Sequence, residues 1–273
     1  MIRQLWGHFE GRIGLIITAT LAVVLILGPL ATQDPDATDY AATLMGPSSA
    51  HLLGTDMAGR DLFARAIAGG ATSLGAALLV FVITSFVGLV AGVAAASLGG
   101  IVDVIICRII DIMLGLPAQV FALAIVGLLG PSFTNLVLAM SITGWASLAR
   151  LARTCSLGSS SEPFVLAARM AGVREWRILM EHIVPIAWSR VLVLATLHIG
   201  STILVLSGLS FLGLGAQPPA AEWGNMLSQA RDTAAYAPWQ LIGPGIGLFL
   251  SIAAANLIAD ALRDITGVQS DVF

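Results

Sequence analysis

The uncharged positions of this chain are gathered into long runs, and the charged positions fall in the gaps between them. Residues 13–31, IGLIITATLAVVLILGPLA, form an uncharged run of 19. At about 1.5 Å per residue this run covers roughly 28 Å, enough to cross a hydrocarbon core of about 30 Å. The run 71–102 holds a second span near 73–98. Residues 112–149 carry no charge over 38 positions, about twice the length of one crossing. Pro131 and the Ser-Phe-Thr-Asn that follows it divide this run, because proline and Ser/Thr/Asn clusters favour turns. Two spans are therefore expected, near 112–130 and 134–150. A fifth is expected at about 191–215 and a sixth at about 240–260, where Gly243-Pro-Gly-Ile-Gly247 would kink or loosen the helix. No internal repeat or pair of inverted halves is visible.

Six spans return both termini to one side, and the arginines choose which. Of the 13 arginines, Arg3, Arg12, Arg108, Arg150, Arg153, Arg169, Arg174, Arg177, Arg190 and Arg263 fall in segments predicted inside, against Arg60, Arg65 and Arg231 outside. Positively charged loops stay in the cytoplasm, so both termini are predicted cytoplasmic. The chain then divides into a cytoplasmic N-terminus (1–12), a first transmembrane helix (13–31), an extracytoplasmic loop (32–70) and a five-helix core (71–273) with a cytoplasmic loop at 151–190. Residues 13–31 are too long for a signal-peptide core of about 7–15 residues, and no A-x-A site follows.

Composition agrees. The chain is 57% hydrophobic and 11% charged, where soluble domains average about 25% charged; this is an all-α integral membrane protein. Its net charge of −3 and lack of a basic tail argue against a nucleic-acid partner. There is no lysine, so the chain cannot form the GxxxxGK[ST] phosphate loop of an ATPase; if ATP drives it, another subunit binds the ATP. No HExxH, GxSxG or paired intramembrane aspartates offer catalytic residues. Cys107 and Cys155 make no metal site and read as structural thiols.

The loop at 151–190 is long enough to be functional. Ser161-Glu162-Pro163 reads as a helix start, with a capping serine and proline in the first turn. Phe164, Ala167, Ala168 and Ala171 share one face of the helix that follows, and Gly172 ends or turns it. In the next segment Trp176, Leu179, Met180 and Ile183 share a face, while Arg174, Arg177 and Glu181 lie opposite, with Arg177 and Glu181 an i,i+4 pair. Two short amphipathic helices around a glycine suit docking into a groove on a partner; the alternative is a hairpin lying among lipid headgroups. Gly88, Gly92, Ala96 and Gly100 form a small-residue stripe for close helix packing. Arg108 and Asp111 form an i,i+3 pair at an inner elbow beside Asp103.

The run Leu166-Ala-Ala-Arg-Met-Ala-Gly172, with Pro185 thirteen residues on, resembles the EAA loop of bacterial ABC-importer permeases: EAA, three residues, Gly, nine residues, I-x-L-P. Ala167, Ala168, Gly172 and Pro185 match; Leu166 replaces the glutamate, and His182 and Val184 replace Ile and Leu. HLLGTDMAGRDLFARAIAGGATSL (51–74) resembles the LGTDxxGRDxxSR signature of peptide and nickel permeases, and SFLGLGAQPPAAEWGNMLSQAR (210–231) and NLIADALRD (256–264) resemble later stretches of the same family. The resemblance implies the second permease subunit of a dipeptide, oligopeptide or nickel importer with the type I ABC permease fold, in the bacterial inner membrane. It further implies a second permease, two cytoplasmic ATPases carrying ATP and Mg, and an extracytoplasmic solute-binding protein as partners, with no cofactor in this chain. By the same resemblance Leu166 to Gly172, Arg174 and Pro185 would couple to an ATPase. The stretches 192–200 and 221–231 lean toward the nickel and dipeptide branch.

Gly54, Thr55, Asp56, Gly59, Arg60 and Asp61 are expected to hold the outer loop's own fold, with Asp56 or Asp61 paired to Arg60 or Arg65. The outer acids, Glu222 among them, either attract a cationic partner or merely accumulate where arginines are excluded. His198 is the one imidazole predicted inside a span. It either touches substrate in the pathway or is neutral and bonded to a neighbouring helix; no second ligand makes it a metal site. A self-sufficient secondary transporter or channel is the rival reading, and it would need a coupling group in the spans that only His198 supplies.

Overall fold

The computed structural model describes residues 2–266; residue 1 and residues 267–273, the two ends of the expected division, lie outside the described residues. Among those described there is no β-strand, only an isolated antiparallel bridge between Thr55 and Asp61. The helices are α1 (Ile2–Gly7), α2 (Phe9–Ala31), α3 (Leu62–Leu98), α4 (Gly100–Leu114), α5 (Ala118–Leu129), α6 (Phe133–Ser160), α7 (Pro163–Met170), α8 (Glu175–Ile178), α9 (Val184–Phe211), α10 (Trp223–Arg231) and α11 (Ile242–Thr266).

Among the described residues, four helical stretches are long and apolar enough to cross a membrane: Phe9–Ala31, Leu62–Leu98, Glu175–Phe211 and Pro238–Ile265. The pair α4 and α5 adds a fifth if it is counted as one span, although it bends by 90°. That bend corrects the expected single span at 112–130. Gly115-Leu116-Pro117 interrupts it, since proline lacks the N–H a helix needs and pushes the preceding residue toward extended backbone. The 28-residue α6 is not among the four stretches: Thr134, Asn135, Ser141, Thr143 and Ser147 dilute its first part, and Arg150 and Arg153 charge its second. The break at Pro131 is where the pattern placed it: Asn135 Nδ2 donates to the Leu129 and Gly130 carbonyls at 3.1 and 2.9 Å, and its backbone N–H donates to Ser132 Oγ at 3.1 Å. Pro244 falls in the first turn of α11, where its missing N–H does no harm, and a 3-10 turn, Pro238–Leu241, leads directly into it.

The described helices pack as two compact units, the residues up to 79, 123–138 and those from 197 on in one and residues 80–122 and 139–196 in the other. In the first, α2 lies against α11 through glycine; a Cβ at Gly14 would come 2.8 Å from Ile258 Cγ1. Its outward side chains Ile26, Leu27 and Leu30 stay exposed, as a lipid-facing helix requires. In the second unit, Gly88 and Gly92 of the small-residue stripe pack against α6, while a Cβ at Gly100 would meet nothing. Leu148, Ala152, Val191 and Ala195 form the adjoining core.

Ion pairs brace the same unit. Arg153 grips Asp103 with two N–H groups, Nη2 at 2.7 Å from Oδ2, and Arg150 Nη2 lies 2.7 Å from Asp111 Oδ1. Asp111 thus pairs across to α6, not with Arg108 one turn away on α4.

A Cβ at Gly92 would fall 2.6 Å from Ala152 Cβ. Gly92→Ala is therefore expected to destabilise the protein by about 1–3 kcal/mol through overpacking. Gly75→Ala, with no heavy atom within 4 Å, is expected to be neutral or to stabilise by up to about 1 kcal/mol. Thermal unfolding in detergent separates the two, and an unchanged Tm for Gly92→Ala would refute the close packing.

Candidate functional site

Residues 161–185 fold into a helical hairpin built on a small sealed core. Glu162 caps α7 without a side-chain bond and Pro163 opens its first turn. Ser161, expected as the cap, instead donates its hydroxyl to Gly158 O at 2.8 Å. The helix closes with two backbone bonds, Gly172 N–H to Arg169 O at 3.0 Å and Val173 N–H to Ala168 O at 3.1 Å. This closure puts Gly172 at φ +78°, the left-handed conformation in which a Cβ is strained. Arg169 crosses the turn, its Nε 2.9 Å from Glu175 Oε1 and its Nη2 3.2 Å from Oε2. The expected pair Arg177–Glu181 is present at 2.7 Å. Leu179–Ile183 forms a π turn, Val184 N–H reaching back to Leu179 O. It stands just before Pro185, whose ring would otherwise meet the carbonyl four residues earlier.

Val165, Ile178 and Ile183 fill the hairpin core, with Ala168, Val173 and Leu179 packed around them. The apolar faces read from periodicity are only half used by it. Leu179 and Ile183 turn inward, but Phe164, Ala167, Ala171, Trp176 and Met180 are exposed. Leu166 is 47% exposed, Trp176 63% and Met170 90%. Arg174 is exposed as well. A Cβ at Gly172 would meet nothing within 4 Å, so the outside of the turn is open. The candidate coupling residues thus share one rigid, apolar elbow that its own chain leaves uncovered.

A second constellation lies in the other unit, around the loop 32–61. Asp56 accepts from the backbone N–H of Ala58 and Arg60 at 2.8 and 3.0 Å, and pairs with Arg60 Nε at 2.7 Å and Arg65 Nε at 3.6 Å. Thr55, fully buried, accepts from Met45 N–H at 2.8 Å and donates to Ala42 O. Asp61 pairs with His51 at 3.1 Å, not with an arginine, and caps α3 through Ala64 N–H at 2.9 Å. Gly54 and Gly59 turn the chain on either side of this knot.

Sequence reasoning missed what anchors the knot. Arg65 donates to Pro35 O, Asp36 Oδ1 and Pro219 O at 3.1, 2.9 and 3.0 Å. Glu222, counted as an outer surface acid, is fully buried. Its carboxylate accepts from Ser73 Oγ at 2.8 Å and from the N–H groups of Gly224 and Asn225 at 2.9 Å. The available signal was an acid immediately before an amphipathic run, the N-cap position of α10. His198 joins neither constellation; it is half-buried in α9, and its carbonyl accepts from Ser201 and Thr202.

Residues 88–267 match the family described as binding-protein-dependent transport system inner membrane component. The chain belongs to this family. It is 39% identical to the nickel transport system permease protein NikC of Escherichia coli (strain K12), over 94% of both chains. It is 39% identical to the dipeptide transport system permease protein DppC of Alkalihalophilus pseudofirmus, over 96% of this chain and 86% of that one. The glutathione transport system permease protein GsiD of Pectobacterium atrosepticum is 37% identical over 96% and 87%. The family and the apolar helices together make this a multi-pass membrane protein, a transport component and not an enzyme.

Glu222→Ala leaves Ser73 and two buried N–H groups without an acceptor, and is expected to destabilise the first unit by about 1–3 kcal/mol or more. Limited proteolysis of the α10 region should accelerate accordingly; wild-type protection would contradict this anchoring role.

Proposed function

We propose that the chain is one permease subunit of an ATP-driven ABC importer in the bacterial inner membrane, taking up dipeptides, oligopeptides or a nickel chelate. In this reading it forms half of the pathway beside a second permease. Two cytoplasmic ATPases supply ATP and Mg chemistry, and an extracytoplasmic solute-binding protein delivers the cargo. The relatives' names support the substrate range, and the exposed apolar elbow at 163–183 supports the coupling. Five large apolar side chains on so short a rigid surface mark a binding face, and an ATPase groove would cover them.

The proposed crossings are α2, α3, the bent pair α4–α5, α6, α9 and α11, with the arginine-poor loop 32–61 outside and the elbow inside. Leu166, Ala167, Ala168, Arg169, Met170, Ala171, Gly172, Arg174 and Pro185 then carry the coupling. Of these, Arg169 acts within the hairpin through Glu175, while Met170 and Leu166 face the partner. ATP closing the ATPase pair would move the elbow as a rigid body and bias the spans between inward- and outward-facing states. His198 would line the pathway.

Two variants test the coupling. Met170→Ser combined with Trp176→Ser is expected to reduce ATPase co-purification and solute uptake at least tenfold while leaving membrane insertion intact. Asparagine tolerates the left-handed conformation, so Gly172→Asn should preserve the hairpin yet fill the open space outside the turn. Lost uptake with intact folding is expected. Normal uptake by both variants would exclude the elbow as the docking element.

A further inference from the structure

The loop 32–61 carries a surface that its internal hydrogen bonds do not explain. Tyr40 is 76% exposed, Leu52 60%, Met57 57% and Met45 46%. The backbone sets them on a firm support. Asp39 N–H donates to Ala58 O at 3.2 Å, Leu44 N–H to Asp56 O at 3.1 Å and Thr55 N–H to Met45 O at 2.9 Å. The first of these bonds joins the backbone at Asp39, next to Tyr40 in the chain, to that at Ala58, next to Met57. Beneath them the Asp56–Arg60–Arg65 network holds the loop to α3. Aromatic and thioether side chains on a preordered surface are what protein interfaces select, because little conformational entropy is lost on contact.

Charge decides what kind of surface covers it. Arg60 is 8% and Arg65 1% exposed, both consumed within the knot. The exposed charges of the loop are therefore carboxylates: Asp34, Asp39 and Asp36, the last bonded to Arg65. Lipid headgroups are sought by apolar surfaces flanked with cations, the reverse of this pattern. A protein face with apolar pockets ringed by lysine or arginine fits it.

We propose that Tyr40 and Met57, flanked by Asp34 and Asp39, form the docking point on this subunit for the solute-binding protein, whose contacting lobe is basic. This rests on the importer reading above and adds to it the location and chemistry of the contact. Opposite charge speeds and orients encounter, while the two apolar side chains set the lifetime of the complex.

The test uses the complete transporter in nanodiscs, titrated with its solute-binding protein at low and high salt. Tyr40→Ala and Met57→Ala are each expected to weaken Kd at least tenfold. Asp39→Asn, which keeps the side-chain bond to Ala41 N–H (3.0 Å), should weaken binding at low salt and flatten the salt dependence. Unchanged Kd in all three variants, with the unsubstituted transporter binding normally, overturns the docking point and leaves the importer reading standing. If the unsubstituted transporter binds no such protein, both fall. A fluorophore at Tyr40→Cys, with Cys107 and Cys155 changed to Ala, should be shielded by the binding protein; quenching by headgroup spin labels would show that lipid covers the loop and overturn the proposal.

Discussion

A hydrocarbon solvent tolerates no stray charge along a helix that crosses it, and the arrangement of this protein follows from that constraint. In α2, α3, α9 and α11 the Asp, Glu and Arg residues lie within about two turns of the helix ends, so the charged residues crowd into the connections and helix ends. There they pair. Arg153 and Arg150 hold Asp103 and Asp111 across α4 and α6, and Arg60 and Arg65 close on Asp56 in the loop 32–61. The exposed Arg150–Asp111 pair contributes little to stability; its partly buried neighbours set geometry.

With charge removed, close approach becomes the main means by which helices hold one another in lipid. Gly88 and Gly92 let α3 meet α6 at backbone distance, and Gly11 and Gly14 do the same for α2 and α11. Such contacts depend on missing side chains and so leave little trace in hydropathy. They also leave outward surfaces that remain wholly apolar, as on α2.

The elbow at 161–185 shows the opposite economy. Its inner side is sealed by Val165, Ile178 and Ile183 and strapped by Arg169 and Glu175, so it is rigid without a partner. Its outer side presents apolar groups that water disfavours. Rigidity within and an uncovered face without suit an element that transmits displacement, since a soft hairpin would absorb a push and a satisfied one would not be gripped. Leu166 makes this face more apolar than the glutamate of the resembled pattern would, so in the proposed coupling the strength of attachment would rest on burial and shape.

Hydropathy alone determined where most helices lie, because lipid solvation acts on each segment independently of its neighbours. It located the first, second, fifth and last long helices and the turn at Pro131, and local chemistry marked the turn at Gly172. Periodicity named the apolar faces of the elbow but not which of their members turn inward, since Phe164 and Val165 are equally apolar and only packing against Ile178 chose between them. The 90° bend at Pro117 was missed because an uncharged run reads the same whether straight or broken. The loop's anchor was hidden for a different reason: Glu222 meets Ser73 149 positions away in the chain, and only the folded backbone, by bringing α10 against α3, turned an apparent surface acid into a buried cap.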